Sequence, residues 1–409
     1  MPELFQRILP AVLLPLALGA CQKPIELEWS FASGSGSRSS PALASDMVLF
    51  GNEAGYLNSV DKGDGTLRWR FPTTKEVVSS PAVDGSQVFF GSTNYSFYAL
   101  ELASGRQVWE HPTHDRIKGS PAVADGVVYF GSYDGHLYAV EEATNRRVWQ
   151  FPPSAADSGA LAGAQAGAAA AGVAQAAGPV AGVVAGAVAG AMAGAVAGAT
   201  AAAIEAAPQP KAFSYARPLV VGGTVYAPNL DGAVYALDAK TGALRWSFRT
   251  GDGVTSSPLS ADGTLYFGSN DKKVYALAGL SGGAPTVRWT FATGDQVNAP
   301  PTLSGGLIYV GSTDHSLYAL DAASGKKVWS AATQGPIYGR AAVYQNLVFV
   351  GAGAGDGNLY AFDAKTGQPF WKYDTGTKIQ SDPVLEGDRL FVSTGDGQLL
   401  AFRIHKTTK

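Results

Sequence analysis

Side chains that could perform catalysis are few and widely spaced in this chain of 409 residues. Among the five histidines only His111 and His114 lie close together, and we expect this pair to be solvated in a connecting loop rather than to bind metal. Asp238, Asp321 and Asp363 share one position of a repeated segment, which favours a role in turns over acid catalysis. The sequence contains no GxSxG, phosphate-binding loop or HExxH motif. We therefore predict no catalytic residue, no metal ligand and no bound cofactor.

The only cysteine, Cys21, follows an apolar stretch from Ile8 to Ala20. This stretch has the length of a signal-peptide core and is too short for a membrane-spanning helix. Leu18-Gly19-Ala20-Cys21 resembles a bacterial lipobox, which implies that residues 1–20 are a signal peptide and that Cys21 is lipidated. The following Gln22 resembles the residue found in lipoproteins sorted to the outer membrane. The alternative is an ordinary secreted protein with a buried cysteine; in either case a single thiol excludes disulfides and thiolate metal sites within the chain.

The composition is that of a globular protein without a strongly charged surface. Apolar residues make up 46% of the chain, the net charge is −3, and the isoelectric point is near 6.0. Lysine and arginine are spread along the chain without a basic run. This balance provides no long-range attraction for nucleic acid or for an acidic membrane surface. We therefore exclude nucleic acid as a partner.

The eight tryptophans mark an internal repeat of about forty residues. A proline follows six of them at a distance of twelve residues, and Ala341 holds that place after Trp329. After Trp149 the matching proline is Pro218, 69 residues away, so 57 residues have been inserted at that one connection. Repeats of this length with short apolar strands are typical of a β-propeller. The tryptophans are Trp29, Trp69, Trp109, Trp149, Trp246, Trp289, Trp329 and Trp371.

One repeat, residues 121–151, shows the pattern of a single four-stranded antiparallel blade. A short inner strand begins at Pro121, and an alternating run of β-branched and aromatic residues follows at 126–132. The Asp134-Gly135 pair predicts a tight hairpin with a positive φ, and strands at 136–140 and 146–151 complete the blade. Such a turn recurs at Asp231-Gly232, Asp356-Gly357 and Asp396-Gly397.

The segment Ala236-Leu-Asp-Ala-Lys-Thr-Gly-Ala-Leu-Arg-Trp246, with weaker copies at 319–329 and 361–371, resembles the docking motif of quinoprotein-type (PQQ-like) propeller repeats. In physical terms the Asp, Thr and Gly form a hydrogen-bonded turn, and the tryptophan covers the seam to the next blade. We predict this structural role for all eight tryptophans, because a stacked cofactor needs one special tryptophan and not eight equivalent ones.

The last repeat has three strands and no tryptophan, whereas residues 25–31 form a single strand that carries Trp29. Together they predict an eighth blade, closed by the N-terminal strand, with no open sheet edge. The predicted organisation is a signal peptide (1–20), blades 1–3 with the closing strand (21–152), an Ala/Gly-rich insert (153–212), and blades 4–8 (213–409).

The insert contains 47 uncharged residues between Asp157 and Glu205, and from Gly178 to Gly198 every fourth residue is glycine. Three interpretations are open: a flexible linker, a glycine-zipper helix or hairpin broken at Pro179, and a membrane-entering segment at 180–204. Because alternate loops of a blade emerge on opposite faces, we expect the insert to leave the ring on the face of the Asp-Gly hairpins.

Lipidation and PQQ-like repeats together resemble the BamB family, accessory subunits of the outer-membrane β-barrel assembly machinery. The resemblance covers residues 18–404 apart from the insert. It implies a non-enzymatic, lipid-anchored scaffold that faces the periplasm and binds envelope proteins through its loops. Quinoprotein dehydrogenases have a vicinal cysteine pair, an acidic Ca²⁺ ligand with an asparagine, and an aspartate base, and the cysteine pair is not found here. Two alternatives remain: a dehydrogenase-like or ligand-binding propeller, and an envelope protein that self-associates through the insert.

Overall fold

The computed structural model describes residues 24–154, 210–213, 215–280 and 283–405. Within these residues the secondary structure consists of 32 strands arranged in eight antiparallel sheets of four. The sheets are the blades of an eight-bladed β-propeller, which confirms the predicted fold class. The described part of the chain contains no helix that is long and apolar enough to cross a bilayer.

The strands of each blade follow one another from the axis outward. In blades 1–3 they are β2 (Ala42–Ala44), β3 (Met47–Gly51), β4 (Tyr56–Asp61) and β5 (Leu67–Pro72); β6 (Ala82–Asp84), β7 (Gln87–Gly91), β8 (Ser96–Glu101) and β9 (Gln107–Pro112); β10 (Ala122–Ala124), β11 (Val127–Gly131), β12 (Leu137–Glu141) and β13 (Arg147–Phe151).

Blades 4–7 follow the insert, and blade 8 contains both ends of the described chain. The strands are β14 (Leu219–Val221), β15 (Thr224–Pro228), β16 (Ala233–Asp238) and β17 (Leu244–Arg249); β18 (Leu259–Ala261), β19 (Thr264–Ser269), β20 (Lys273–Ala278) and β21 (Thr286–Ala292); β22 (Thr302–Ser304), β23 (Leu307–Gly311), β24 (Ser316–Asp321) and β25 (Lys327–Ala332); β26 (Ala342–Tyr344), β27 (Leu347–Gly351), β28 (Asn358–Asp363) and β29 (Pro369–Asp374); β30 (Val384–Glu386), β31 (Arg389–Ser393), β32 (Gln398–Ile404) and β1 (Ile25–Ala32).

The core lies between the blades rather than within any one of them. The second and third strands of each blade are buried on both faces, because each sheet packs against a neighbour on either side. Their sequences are accordingly near-continuous apolar runs such as Val-Val-Tyr-Phe in β11. The outermost strands alternate between buried and exposed residues, as in β17, since their edges meet solvent.

The N-terminal strand closes the ring as predicted. β1 pairs antiparallel with β32, from Ile25 opposite Ile404 to Ala32 opposite Gln398. An ionic network reinforces this pairing: the Glu28 carboxylate accepts hydrogen bonds from Arg389 Nε at 2.7 Å and from Arg403 Nε at 2.8 Å. No sheet in the described structure is left with three strands.

Each hairpin between the second and third strands of a blade has a residue with a positive φ at the same position. Gly135 and Gly232 have φ values of 87° and 88°, as the Asp-Gly pattern predicts. Three blades place a larger side chain there: Tyr95 at 77°, Lys272 at 70° and His315 at 70°. This conformation disfavours side chains with a Cβ, so these three residues are held there at a cost to stability.

The end of the insert lies on the face of the ring that carries these hairpins. The Phe213 amide donates to Ser132 O at 3.1 Å, and Leu230 N donates to Ala212 O at 3.2 Å. Pro210 is close to the hairpin at Gly135, since a Cβ on that glycine would lie 3.2 Å from Pro210 O. The face expected from the sequence is therefore the observed one. The conformations proposed for the insert concern residues outside the described ranges.

Candidate functional site

The tryptophans lie at the seams between blades. Seven indole NH groups donate to a backbone carbonyl in the next blade, for example Trp149 Nε1 to Ala239 O at 3.0 Å and Trp329 Nε1 to Ala364 O at 3.0 Å. The other five acceptors are the carbonyls of Lys62, Leu102, Glu142, Leu280 and Ala322. Trp371 faces blade 8, where the corresponding turn is replaced by the two chain ends, and its ring packs 5.6 Å from that of Phe402.

Six of the tryptophans cover a turn that begins with an acidic residue; the exceptions are Trp246, whose turn begins at Ala278, and Trp371. Asp238 Oδ1 accepts the amides of Lys240 and Thr241, at 3.1 and 2.9 Å, while Oδ2 accepts Arg245 Nη2 at 2.7 Å. Asp321 and Asp363 accept equivalent bonds. The Arg245 guanidinium, followed by the Thr241 hydroxyl and the turn amides, lowers the pKa of Asp238 to about 2. All three aspartates therefore form turns, as the sequence predicts.

Stability should depend on the ionisation of Asp238. Its folded pKa of about 2 lies below the ordinary value of 3.8, so the carboxylate stabilises the fold above pH 3.8 and loses that contribution as the pH falls through 2. Because the side chain contacts solvent, we expect this contribution to be about 1 kcal/mol. Asp238→Asn should unfold more easily than wild type at neutral pH, and the difference should shrink towards pH 2. Denaturant unfolding at a series of pH values measures the free energy of unfolding of wild type and variant. A difference between them that does not change with pH would contradict this role.

The aspartates of the hairpins also hold the incoming loop of their own blade, which the sequence analysis did not predict. Asp134 Oδ2 accepts the Tyr138 hydroxyl at 2.8 Å and the amide of His114 at 3.0 Å. Burial raises the pKa of Asp134, but hydrogen bonds from His136, from the His114 amide and from Tyr138 outweigh it, and the net direction is downward. Burial, with the Asp356 hydrogen bond, raises the pKa of Tyr360 to about 12. The spacing Asp-x-x-x-Tyr, present in five blades, was the available signal.

The predicted solvated pair of histidines is separated in the structure. His114 is exposed in a loop, as expected, whereas His111 belongs to β9 and is half-buried. Its Nδ1 contacts Asn145 Oδ1 at 2.8 Å, and its ring packs against Phe130 and Tyr138. Burial lowers the pKa of His111, so the residue serves packing and the expectation of solvation was wrong for it.

In seven of the eight blades, the loop that enters the blade is held by one buried apolar side chain, which we call the anchor residue. In blades 2, 3, 5, 6, 7 and 8 it is Val77, Ile117, Val254, Val297, Ile337 and Ile379 respectively, and in blade 4 it is Phe213, which directly follows the insert. The anchor amide donates to the end of the preceding blade's second strand, as Ile379 N does to Ala352 O at 2.8 Å. A glycine usually faces the anchor: a Cβ on Gly351 would lie 2.2 Å from Ile379 Cγ2. The loop therefore reaches the axis in a fixed position.

Beyond the anchor, alternate side chains point into the axial channel. The chain is extended here, so burial alternates along Ile117, Lys118, Gly119 and Ser120. This produces two rings. The outer ring is Arg38, Val78, Lys118, Tyr215, Thr255, Asn298, Tyr338 and Gln380, and the inner ring is Ser40, Ser80, Ser120, Arg217, Ser257, Pro300, Arg340 and Asp382. The outer ring and all of the inner ring except Arg217 and Arg340 line a cavity of about 360 Å³.

The inner ring is joined by hydrogen bonds from one blade to the next. Ser40 N donates to Ser80 Oγ at 2.9 Å, and Ser80 N donates to Ser120 Oγ at 3.0 Å. Three further bonds, each 2.8 Å long, continue the ring. The Arg217 amide donates to Ser257 Oγ. The Arg340 amide donates to Asp382 Oδ1, and the Asp382 amide donates to Ser40 Oγ. The side chains of this ring are thus positioned by backbone contacts, which leaves the two arginine guanidinium groups available for other contacts.

Positive charge predominates in the channel. Arg38 pairs with Glu53 at 2.8 Å, but among the described residues no carboxylate lies within ion-pair distance of Lys118, Arg217 or Arg340. Burial, together with the charge of Arg340, lowers the pKa of Arg217, and Asp382 offsets this in part. Lys118 Nζ donates to the Tyr215 hydroxyl at 3.2 Å. Arg340 Nε and Gln380 Oε1 are buried and have no hydrogen-bond partner within the described structure.

This donor set does not suit the calcium-bound quinone that a quinoprotein resemblance implies. Asp382 is the only carboxylate among the residues that line the cavity, and its Oδ1 already accepts the Arg340 amide. Across the described ranges, no three His, Cys, Asp or Glu side chains come together as a possible metal site. Calcium prefers six to eight oxygen ligands, including carboxylates. Cys21, the predicted lipidation site, lies outside the described residues.

Comparison with solved structures identifies the same fold in proteins of different activity. The chain is similar to BamB from Moraxella catarrhalis, with a TM-score of 0.69, 16% identity, and coverage of 94% of this chain and 99% of that one. It is also similar to quinohemoprotein alcohol dehydrogenase from Comamonas testosteroni, with a TM-score of 0.67, 14% identity, and coverage of 95% and 77% respectively. A computationally designed protein, Ika8, matches with a TM-score of 0.68, 14% identity, and coverage of 93% and 98%.

No curated protein matches the sequence significantly. The family profile described as outer membrane protein assembly factor BamB, however, matches residues 26–115, 53–191, 197–285, 284–339 and 334–409. These segments together include every blade of the ring. The chain therefore belongs to the outer membrane protein assembly factor BamB family.

Proposed function

We propose that this protein is a non-enzymatic, lipid-anchored scaffold of the bacterial envelope with a BamB-like role in outer-membrane protein assembly. The observation that carries the proposal is the match of the BamB family profile to all blades. At family level, the BamB-like propeller supports a scaffold for protein interaction. The lipobox at Cys21 and the unsuitable donor set of the channel favour this role over that of a quinoprotein dehydrogenase, which has the same fold.

The face with the insert presents the surface best suited to a partner. Three tyrosines lie along the loop between β9 and β10 on this face. We call them the aromatic patch: Tyr95, Tyr133 and Tyr215. Tyr95 O accepts the Thr113 amide at 2.7 Å, and Tyr133 N donates to Arg116 O at 2.9 Å. Tyr95 and Tyr215 are 42% and 45% exposed. Exposed tyrosines beside cations are typical of protein-binding surfaces.

Tyr95 is the strongest indication that this surface has a function. Five of the eight equivalent hairpin positions hold glycine, including Gly55 and Gly397, whereas Tyr95 has a φ of 77°. A tyrosine is strained there, and Lys75 Nζ lies 5.2 Å from its ring centroid. Retention of a strained, exposed aromatic residue favours binding over stability.

The test is affinity purification of the tagged, lipidated protein from gently solubilised envelopes, followed by mass spectrometry. We expect wild type to retain a β-barrel assembly protein, and Tyr95→Gly to reduce that capture by about tenfold, since interface tyrosines often contribute more than 1 kcal/mol. Tyr95→Gly removes backbone strain, so it should fold at least as stably as wild type.

Two further variants complete this experiment. Val221→Ser alters a residue that is 43% exposed on the opposite face and should leave capture unchanged. Cys21→Ser should release the protein from the membrane fraction. Recovery of the bait alone, as oligomers, would overturn the scaffold proposal and favour self-association through the insert. Equal losses in Tyr95→Gly and Val221→Ser would overturn the assignment of the surface.

A further inference from the structure

The axial cavity combines features that the scaffold function does not require. Its volume is about 360 Å³, and most of its lining is polar, with serine, threonine, asparagine and glutamine side chains between two tyrosines. A cavity of this size suits a small molecule or ion rather than a folded partner. Since the anchor residues fix seven of the eight incoming loops, most of the lining is held in place before any ligand binds.

The charged residues of the channel indicate that the ligand is negatively charged. Lys118, Arg217 and Arg340 have no carboxylate partner among the described residues, and Asp382 is the one acidic group in either ring. The whole chain nevertheless carries a net charge of −3. Clustered cations repel one another, and a bound anion would relieve that repulsion.

Two buried polar atoms add an independent indication. Arg340 Nε is a donor and Gln380 Oε1 an acceptor, and both lack a hydrogen-bond partner in the described structure. Buried polar atoms are normally satisfied by protein, water or ligand. Gln380 belongs to the outer ring, and Arg340 to the inner ring next to Asp382. An oxyanion could satisfy the Arg340 donor, whereas the Gln380 acceptor requires a donor such as water.

We propose that the axial channel is a binding site for a small anion bearing carboxylate or phosphate groups. Lys118 provides a charge in the lining of the cavity, and Arg217 and Arg340 add positive charge in the adjoining inner ring, although they are not themselves part of the lining. Arginine binds either oxyanion through paired NH groups, and the serine, tyrosine and asparagine side chains can donate to its remaining oxygens. The site shares Tyr215 with the aromatic patch, but it does not depend on the partner proposed for that patch.

The test uses the full chain in mild detergent and isothermal titration calorimetry at constant ionic strength. Citrate is the carboxylate probe and pyrophosphate the phosphate probe. We expect at least one probe to bind with a dissociation constant below about 1 mM, a range typical of weak ligand sites. Binding of citrate alone would identify a carboxylate site, binding of pyrophosphate alone a phosphate site, and each of these results supports the proposal.

Three variants assign the binding to the channel. Lys118→Gln removes a cation and should weaken binding by about tenfold, whereas Asp382→Asn removes the one negative charge and should tighten it by about threefold, in keeping with charge interactions of about 1 kcal/mol. The asparagine retains an oxygen that can accept the Arg340 amide, so the inner ring remains intact. Lys372→Gln, an exposed residue on the outer strand β29, is the matched control and should bind as wild type does.

The proposal has clear contrary results. It fails if neither probe binds the wild type with a dissociation constant below about 1 mM. It also fails if Lys118→Gln and Lys372→Gln bind equally. Thermal unfolding of each variant verifies the fold, and the opposite effect expected for Asp382→Asn cannot arise from misfolding. Partner capture by Lys118→Gln is measured separately, so loss of anion binding and loss of the scaffold function can be distinguished.

Discussion

Replacing Trp329 by alanine is expected to lower the free energy of unfolding by about 4 kcal/mol. The residue is only 8% exposed, and its ring lies 5.8 Å from that of Tyr309. A Cβ on Gly367 would come within 2.6 Å of the indole, so the turn of the next blade fits closely against it. Alanine would leave a cavity at the seam and would remove the indole donor to Ala364 O, which keeps the hydrogen bond from the Tyr309 hydroxyl. Chemical denaturation of the full chain, followed by far-ultraviolet circular dichroism, measures the loss.

Phenylalanine variants separate the hydrogen bond from the packing. Trp329→Phe keeps most of the apolar contact but removes one of the two donors to Ala364 O, which accepts the indole at 3.0 Å and the Tyr309 hydroxyl at 2.9 Å. Trp371 provides the matched control, because it faces the chain ends rather than a closed turn. We expect Trp329→Phe to cost about 1 kcal/mol more than Trp371→Phe. Equal costs would show that the indole hydrogen bonds contribute nothing to blade docking.

A single methyl group at Gly351 is expected to destabilise the protein by about 3 kcal/mol. Its Cβ would lie 2.2 Å from Cγ2 and 2.7 Å from Cβ of Ile379, the fully buried anchor residue of blade 8. Since the anchor amide is itself bonded to Ala352 O, the side chain cannot move away without breaking the loop. Gly351→Ala should therefore lower the midpoint of denaturant unfolding clearly.

A double-mutant cycle tests the cause of this loss. Ile379→Ala alone should cost about 3 kcal/mol through the cavity it leaves. In the double variant the alanine at position 351 occupies part of that space, so the combined cost should be well below the sum of the two single costs. Additive costs would mean that the clash with Ile379 is not the source of the instability.

The fold could be predicted because individual residues mark each repeat. Tryptophan and proline recur at fixed spacing, and the runs between them have the composition of buried strands, so blade number and closure follow from local patterns. The orphan strand at residues 25–31 required one additional argument, that a propeller must close. Burial of His111 was missed because it depends on the rings of the next blade, which no local pattern shows.

The channel could not be predicted in the same way. Its rings are formed by eight residues that are far apart in sequence, and Lys118 or Arg217 is unremarkable in its own repeat. The residue before each repeated proline was nevertheless a visible clue. Four of these residues are serines, and the series is interrupted by Arg217, Pro300 and Asp382. These residues point inward because the anchor residues fix the position of the loop. The anchor residues can be recognised only from their contacts with glycines such as Gly351, which the sequence does not show.

Closure by β1 also determines the order in which the molecule can be assembled. Seven blades are built from consecutive strands, whereas the eighth joins Ile25 to Ile404, which are 379 residues apart. During synthesis the first strand emerges long before the last, so it must wait unpaired until almost the entire chain has been made. Contacts between such distant segments form slowly, because a large loop must close. The final blade is therefore the last to form, and until then the protein exposes the sheet edges that it later hides.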